Sequence, residues 1–294
     1  VFGVIIAGIH FFAFLHGIFI GRYNYRVIEQ NVASANVPAS FNEFKILQLS
    51  DMHLGSLARP DKIKEAVNLI NQQEYDILVF TGDLVNARAV EVDKWKDIIA
   101  NIKTPKYGKY AVLGNHDYGD YVKFDTEVDK KQNFNQILKF YSDLGFTLLN
   151  NQNVAITNQK DTISLIGVEN WGRKFIQKGD LKLASKNVNP NHFKILLSHD
   201  PSHFELEVIN NKTFYDLTLS GHTHGFQFGI EIPGYLQWSP VKWVYKHWAG
   251  LYNENGRYLY VNRGFGYHGY PGRVGVRPEI TILTLQYDQN KKYN

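Results

Sequence analysis

The sequence predicts an α/β sandwich preceded by an apolar, membrane-spanning segment. Three observations carry this expectation. Short runs rich in Ile, Leu and Val alternate with helix-like stretches, and the second half of the chain is richer in strands. Four of the apolar runs end directly in a block holding Asp, Asn or His, at Asp51, Asp83, Asn115 and His199. Residues 1–20, VFGVIIAGIHFFAFLHGIFI, contain no Asp, Glu, Lys or Arg.

About 20 uncharged residues suffice to span a bilayer as a helix, so residues 1–21 are expected to form a transmembrane anchor. No basic stretch precedes the run and no small-residue cleavage site follows it, which argues against a signal peptide. The chain does not begin with Met, so this span is expected to be the end of a longer membrane region. Residues 22–43 read as a tether, in which YNYRVIEQNV alternates enough for an edge strand before Pro38 interrupts. Strands are expected at 45–50, 76–81 and 110–113. Helices are expected near 60–73, opened by Pro60 at a favoured first position, and near 91–101. Phe134, Ile137, Leu138 and Tyr141 recur at helical spacing within 125–144. Strands near 146–149, 153–157, 162–168 and 193–198, a helix at 201–210 and strands at 215–220, 258–262 and 279–287 complete the pattern. The division is an anchor at 1–21, the tether, a catalytic domain at 44–288 and a tail at 289–294.

Lys plus Arg number 32 and Asp plus Glu 28, a mild excess that does not make the basic stripe of a nucleic-acid surface. The absence of cysteine excludes disulfides and thiolate zinc sites. Arg22 and Arg26 follow the apolar run, which favours a cytoplasmic catalytic domain under the positive-inside rule.

Chemistry concentrates in five ordered blocks: Asp51-Met52-His53, Gly82-Asp83, Gly114-Asn115-His116-Asp117, Ser198-His199-Asp200 and Gly221-His222-Thr223-His224. Strand ends can aim such side chains into one crevice. Carboxylate and amide oxygens mixed with imidazoles, without thiolates, suit a hydrolytic transition-metal centre.

These blocks resemble the calcineurin-like metallophosphoesterase pattern D-x-H, G-D, G-N-H-D/E, H, G-H-x-H, in order, across about residues 44–288. LSDMHLGS, GHTHGFQ and RPEITIL resemble bacterial membrane-anchored members. The resemblance implies a four-layer αββα sandwich with two divalent metal ions at its edge, manganese foremost and iron or zinc as alternatives. It implies Asp51, His53, Asp83 and His224 on one ion, and Asp83, Asn115, His199 and His222 on the other. Two adjacent dications repel unless an anion lies between them, and Asp83 is the natural bridge. A metal-bound hydroxide would then be the nucleophile. His116 is implied to contact the phosphate or leaving group, and Asp117 is expected to orient its ring.

His192 and His203 read as surface residues, whereas His247 and His268 could line a substrate pocket. One of Arg263, Arg273 and Arg277 could grip a phosphate, although surface pairing is the commoner role. Gly264 to Gly269 matches G-x-G-x-x-G in form, but prolines follow where a dinucleotide site needs a helix. Phe226 to Tyr252 interleaves Trp238, Trp243, Tyr245 and Trp248 with Lys242 and Lys246. That composition suits a membrane–water interface or a loop packed on the sandwich.

The leading expectation is a membrane-anchored two-metal phosphoesterase of a bacterial inner or plasma membrane. It would act on a phosphomonoester, phosphodiester or diphosphate, in a small-molecule or lipid-linked substrate. The alternatives are a nucleotide or cyclic-nucleotide phosphodiesterase, and a catalytically silent membrane-tethered module. Gly82-Asp83-Leu84-Val85-Asn86-Ala87-Arg88 departs from the G-D-x-V-D-R-G of protein phosphatases.

Overall fold

The apolar runs become two six-stranded sheets in a computed structural model that describes residues 2–232 and 234–291. Val1, Lys292, Tyr293 and Asn294, the ends of the expected anchor and tail, lie outside the described residues. Helix α1 (Phe2–Phe19) leads to β1 (Arg26–Ser34) and β2 (Lys45–Leu49). Then come α2 (Pro60–Asn71), β3 (Ile77–Phe80), α3 (Lys96–Ala100), β4 (Lys109–Ala111), α4 (Glu127–Asp143) and β5 (Phe146–Leu148). β6 (Gln152–Asn158), β7 (Asp161–Gly167), α5 (Leu181–Ala184), β8 (Phe193–Leu197) and β9 (Leu217–Ser220) follow. The hairpin β10 (Ile230–Ile232) and β11 (Leu236–Trp238) precedes β12 (Gly250–Glu254), β13 (Arg257–Val261) and β14 (Glu279–Tyr287).

The first sheet runs β1-β14-β2-β3-β4-β5 and the second β12-β13-β9-β8-β7-β6. Successive side chains on a strand point to opposite faces, and the layers follow. Ile46, Ile77, Val79 and Leu283 of the first sheet share a buried cluster with Ile163, Leu165, Ile195 and Leu217 of the second. Leu47, Leu49, Leu78 and Phe80 pack instead with Ile63 and Ile70 of α2, Ile99 of α3, and Ile137 and Tyr141 of α4. Ile166, Leu196 and Leu259 pack with Leu181 and Ala184 of α5 and with Phe204 and Val208. These are the four layers of an αββα sandwich.

The stretch 22–43 is not a tether. β1 pairs in parallel with β14 from Arg26 to Ser34, and Val32, Val37 and Phe41 are buried in the inter-sheet core. The alternation of that stretch gives the edge strand one apolar face to bury. The helix expected at 91–101 is broken into a 3₁₀ turn, Ala89–Val92, and the short α3. Glu91 accepts hydrogen bonds from the N–H groups of Asn86, Ala87 and Arg88, which holds the turn tight. The helix expected at 201–210 contains a π-helical turn, Phe204–Val208.

α1 is long and apolar enough to cross a membrane and is almost wholly exposed. Its last turns rest on the domain. The Tyr270 hydroxyl donates to the Phe14 carbonyl at 2.8 Å, and the Arg273 N–H donates to the Gly17 carbonyl at 3.1 Å.

Candidate active site

Five strands from both sheets end at one edge. Asp51 and His53 follow β2, Asp83 follows β3, Asn115 and His116 follow β4, His199 follows β8, and His222 and His224 follow β9. The turns are tight. Asp51, His53, Asp83, His222 and His224 have φ between 45° and 71°. That left-handed backbone costs an L-residue about 1–2 kcal/mol, and strain held at neighbouring positions points to function. Gly82 has φ of 95°, and a Cβ there would lie 2.8 Å from His199 Nδ1.

All seven residues of the implied ligand set converge. Asp51, His53 and His224 form one triad and Asp83, His199 and His222 another, with ligand-type atoms within 4.8 Å of one another in each. Asp83 stands between them, its Oδ2 3.6 Å from His53 Nε2 and 3.2 Å from His199 Nε2. Asn115 Oδ1 is 3.2 Å from His199 Nε2, while its Nδ2 donates to the Tyr121 hydroxyl at 2.8 Å. The amide oxygen therefore faces the centre.

Several rings are already set for this arrangement. His53 Nδ1 donates to Asn86 Oδ1 at 3.0 Å, His199 Nδ1 to the Thr81 carbonyl at 2.6 Å, and His116 Nδ1 to the Asn86 carbonyl at 2.7 Å. A carbonyl oxygen only accepts, so Nδ1 carries a proton, and each ring in its neutral form would keep its lone pair on Nε2. His222 is reversed: Nε2 meets the Tyr245 hydroxyl at 2.8 Å and Asp200 Oδ2 at 3.5 Å, and Nδ1 faces His199 at 3.2 Å. His224 Nε2 lies 3.3 Å from Asp51 Oδ1 and is buried without a hydrogen-bond partner. Arg273 Nη2 lies 3.2 Å from His224 Nδ1, so this ring is the least prepared of the set: a cation at Nε2 requires the ring proton on Nδ1. An orphaned buried nitrogen is costly, and a cation between it and Asp51 would engage both. The donor set fits divalent transition ions.

The electrostatics agree. Burial alone would raise the Asp51 and Asp83 carboxyls, but His224 beside Asp51, and His199 and His116 beside Asp83, hold both below the usual range. Burial pushes the His199 imidazole down, and Asp83 overrides it, raising the ring to about 10. Burial drives His53 well below its ordinary value. A protonated His199 thus supplies positive charge that buried carboxylates demand.

The calcineurin-like phosphoesterase profile matches residues 44–226. The chain belongs to this family. It is 31% identical to an uncharacterized metallophosphoesterase of Aquifex aeolicus, over 90% of this chain and 93% of that one. It is also 31% identical to a transmembrane protein with metallophosphoesterase domain from Bos taurus, over 85% of this chain and 54% of that protein. The UDP-2,3-diacylglucosamine pyrophosphatase LpxG of Chlamydia trachomatis is 28% identical, over 86% of this chain and 88% of the relative. The protein is a metal-dependent phosphoester hydrolase, and its domain implies divalent metal ions.

In this phosphoesterase Asp117 does not touch the His116 ring. Its carboxylate accepts from the N–H groups of Asp83 at 3.0 Å, Leu84 at 2.9 Å and Gly114 at 2.9 Å, and from the Tyr141 hydroxyl at 2.9 Å. Its side chain turns inward beneath the Asp83 turn, and burial together with the Asp83 charge pushes it up to about 6. The Asn86 carbonyl holds His116 instead.

Other expectations also shift. His203 is buried, bonded to Ser198 Oγ at 2.9 Å, rather than on the surface; His192 is half-buried against Ser164. His247 is buried between Glu205 and Glu254, each at 3.1 Å, and does not line the cavity beside the two triads. His268 does, with its ring 4.5 Å from that of His116 and 4.9 Å from that of His53. None of the three arginines presents an open fork to a phosphate, and Arg273 Nη1, which has no hydrogen-bond partner, is buried. Arg263 pairs with Glu231 and Glu279, Arg273 donates to the carbonyls of Arg263, Gly264 and Gly266, and Arg277 binds Asn24 and Tyr25. The Gly264–Gly269 loop backs onto the centre: Phe265 N–H donates to Ser50 and Gly266 N–H to Asp51, both at 2.8 Å. Nothing in the sequence placed Asn86, Tyr121, Asp200 or Tyr245 at the centre, and only their contacts do.

Proposed function

We propose that this phosphoesterase holds two divalent ions and cleaves a phosphoester or diphosphate bond of an amphiphilic, lipid-linked substrate at a membrane. The observation that carries the metal assignment is the pair of triads on either side of Asp83. Asp51, His53, Asp83 and His224 would hold one ion, and Asp83, Asn115, His199 and His222 the other. Manganese leads, with iron or zinc as alternatives. Bound there, the ions would supply Lewis-acid charge to the phosphate and lower the pKa of water.

The residues themselves do the rest. Asp83 offsets repulsion between the two cations, and Thr81, Asn86 and Tyr245 orient the rings around them. His116 keeps its proton on Nδ1, bonded to the Asn86 carbonyl, and its ring lies 4.9 Å from that of His53, which leaves Nε2 as the nitrogen available to the centre. That nitrogen is free to take or return a proton at the phosphate or leaving-group oxygen. Tyr121 stacks on the His116 ring at 4.3 Å and restricts its rotation.

What adjoins the rings supports this substrate class. A cavity of about 400 Å³ has His222, His224 and His268 on its wall, together with Phe175, Phe226 and Tyr270. The imidazoles suit a phosphate near bound metals, and the aromatic rings suit an apolar group. α1 would keep this cavity near a bilayer, with the catalytic domain beginning by Arg26 and facing the cytoplasm. The name of the Chlamydia relative, a pyrophosphatase of a diacylated nucleotide sugar, agrees in chemistry.

The test compares kcat/KM of the full-length, manganese-loaded protein on a diacylated nucleotide-sugar diphosphate and on its deacylated headgroup. Preference for the acylated form is expected. Equal or better turnover of the soluble nucleotide would overturn the amphiphile reading. No turnover of either, nor of an activated aryl phosphodiester, by the metal-loaded protein would favour a silent metal-binding module.

A further inference from the structure

We propose that the catalytic domain is seated in the membrane interface by the face that carries its cavity, so that lipid headgroups rather than bulk water meet the candidate active site. This rests on the reading of α1 as a transmembrane anchor and adds the depth at which the domain must sit.

The depth follows from helix geometry. The uncharged run ends at Ile20, and Arg22 is the first charged residue. A helix rises about 1.5 Å per residue, which puts Phe14 roughly 9 Å inside the end of the apolar run. The headgroup layer on each side of a bilayer is only about 5–8 Å thick. Yet Phe14 is where the domain touches the helix. Its ring stacks on Phe228 at a centroid distance of 5.8 Å and meets Tyr270 edge-on at 5.4 Å. Groups in contact with Phe14 cannot lie in bulk water while α1 spans the bilayer.

The junction is also short and close-packed. Arg22 donates to the Tyr267 hydroxyl at 3.1 Å and to the Pro271 carbonyl at 3.0 Å. β1 begins at Arg26 and is bonded along its whole length to β14. At Gly17 a Cβ would lie 2.8 Å from both the Tyr270 hydroxyl and Val274 Cγ2, so glycine permits this approach. No slack separates the helix from the domain.

The surface next to this contact is apolar and exposed. Ile230 lies two residues beyond Phe228 and pairs with Trp238, whose ring meets Trp243 edge-on at 6.1 Å. Tyr235 is 91% exposed and Trp243 73%, with Ile230, Leu236 and Val244 each about half exposed. Exposed apolar patches of this kind mark interaction surfaces, and Trp and Tyr favour the membrane–water boundary. Lys242 stands exposed beside them, where anionic headgroups would attract it, while Lys246 pairs with Glu254 at 2.6 Å. Phe226, Val244 and Tyr270 belong both to this face and to the cavity wall that includes His222, His224 and His268. The face is therefore continuous from the anchor to the candidate active site, and its occupant is the bilayer interface.

The chain has no cysteine, so single labels can be placed without background. Full-length Tyr235→Cys and Trp243→Cys would each carry a nitroxide in phosphatidylethanolamine–phosphatidylglycerol vesicles. Glu74→Cys is the control; its side chain is 91% exposed and it precedes β3, at the sheet end opposite the triads. The expected result is collision with dissolved oxygen several-fold above collision with a water-soluble nickel chelate at 235 and 243, and the reverse at 74. Labels at 235 and 243 that behave as at 74, in protein retained by the vesicles after an alkaline wash, overturn this inference and leave the anchor intact. Protein released by the wash overturns the anchor and this inference together. Dipolar broadening between labels that vanishes on dilution with unlabelled protein assigns the face to a second copy and overturns the lipid assignment.

Discussion

Asp117 offers a decisive substitution, because its two conceivable roles predict opposite outcomes. If it braces the Asp83 turn, removing its charge damages folding and metal binding. If it orients His116, removing its charge damages turnover alone. Its Oδ2 accepts from Asp83 N–H, Gly114 N–H and the Tyr141 hydroxyl, and Oδ1 from Leu84 N–H, all at 2.9–3.0 Å. In Asp117→Asn one oxygen remains and the new NH₂ must face at least one backbone N–H. One buried donor is left unpaired, which costs about 1–3 kcal/mol. At about 2–4 °C per kcal/mol for a domain of this size class, the melting midpoint should fall by roughly 2–12 °C. Asp117→Ala leaves the backbone N–H groups of Asp83, Leu84, Val85 and Gly114 unpaired, a loss of roughly 4–12 kcal/mol on the same scale, comparable with a whole domain's stability. The assay is thermal unfolding by circular dichroism in one detergent, with metal content measured on the same samples. Asp117→Asn should melt early and hold less metal. A variant with parental melting and metal content but greatly reduced turnover would refute the brace and restore the ring-orienting role.

Asp83→Ala should lose both metal ions, while His53→Ala should weaken mainly one site; elemental analysis of purified variants checks this, and full occupancy in Asp83→Ala excludes a bridge. His116→Asn should keep its metals and lose roughly 10²–10⁴-fold in turnover, less on esters with good leaving groups. Unchanged turnover on a poor leaving group would remove His116 from the chemistry. His199 titrates near 10 without metal, so its protonation stabilises the metal-free fold fully below its ordinary value of 6.5, and that contribution is lost as pH rises through 10. At pH 7.5 metal uptake must displace this proton, and calorimetric titration in two buffers of different ionisation heat should register about one proton released from His199; no buffer dependence would refute it. With the three arginines engaged elsewhere, chelated protein should bind inorganic phosphate far more weakly than metal-loaded protein, and equal affinities would show a metal-independent grip.

Much of the centre was legible because its signals are local. D-x-H, G-N-H-D and G-H-x-H each lie within four residues, and apolar runs mark the strand ends that bring them to one edge. What escaped depends on direction or on distance along the chain. Asp117 follows His116 by one residue, but the 3₁₀ turn Asn115–Tyr118 sends its carboxylate inward and the His116 ring outward. Asn86 serves His53 from 33 residues away with its side chain and His116 from 30 away with its backbone. His203 read as a surface residue and His247 as a candidate for the pocket wall until their buried partners, Ser198 for one and Glu205 with Glu254 for the other, explained them. The segment 22–43 looked like a tether because its partner strand, β14, comes some 250 positions later, at Glu279 opposite Arg26.

The arginines show how the parts of the molecule are joined. Arg263 is buried between Glu231 and Glu279, and breaking one arm of such a pair strands a charge in the interior. Arg277 fastens the loop to Asn24 and Tyr25, next to the end of α1. Arg273 does more: its guanidinium binds three loop carbonyls and lies 3.2 Å from His224, while its N–H holds the Gly17 carbonyl of α1. One residue thus touches the apolar helix and a side chain of the first triad. Because Phe265 and Gly266 also bond to Ser50 and Asp51, the 262–278 loop is fastened to the centre at one end and to the helix at the other. Under the proposed anchoring by α1, a rigid link of this kind makes the position of the bilayer a structural parameter of the site. It also accounts for the loss of arginine as a phosphate ligand, since the same guanidinium groups cannot brace a buried loop and remain free for a substrate.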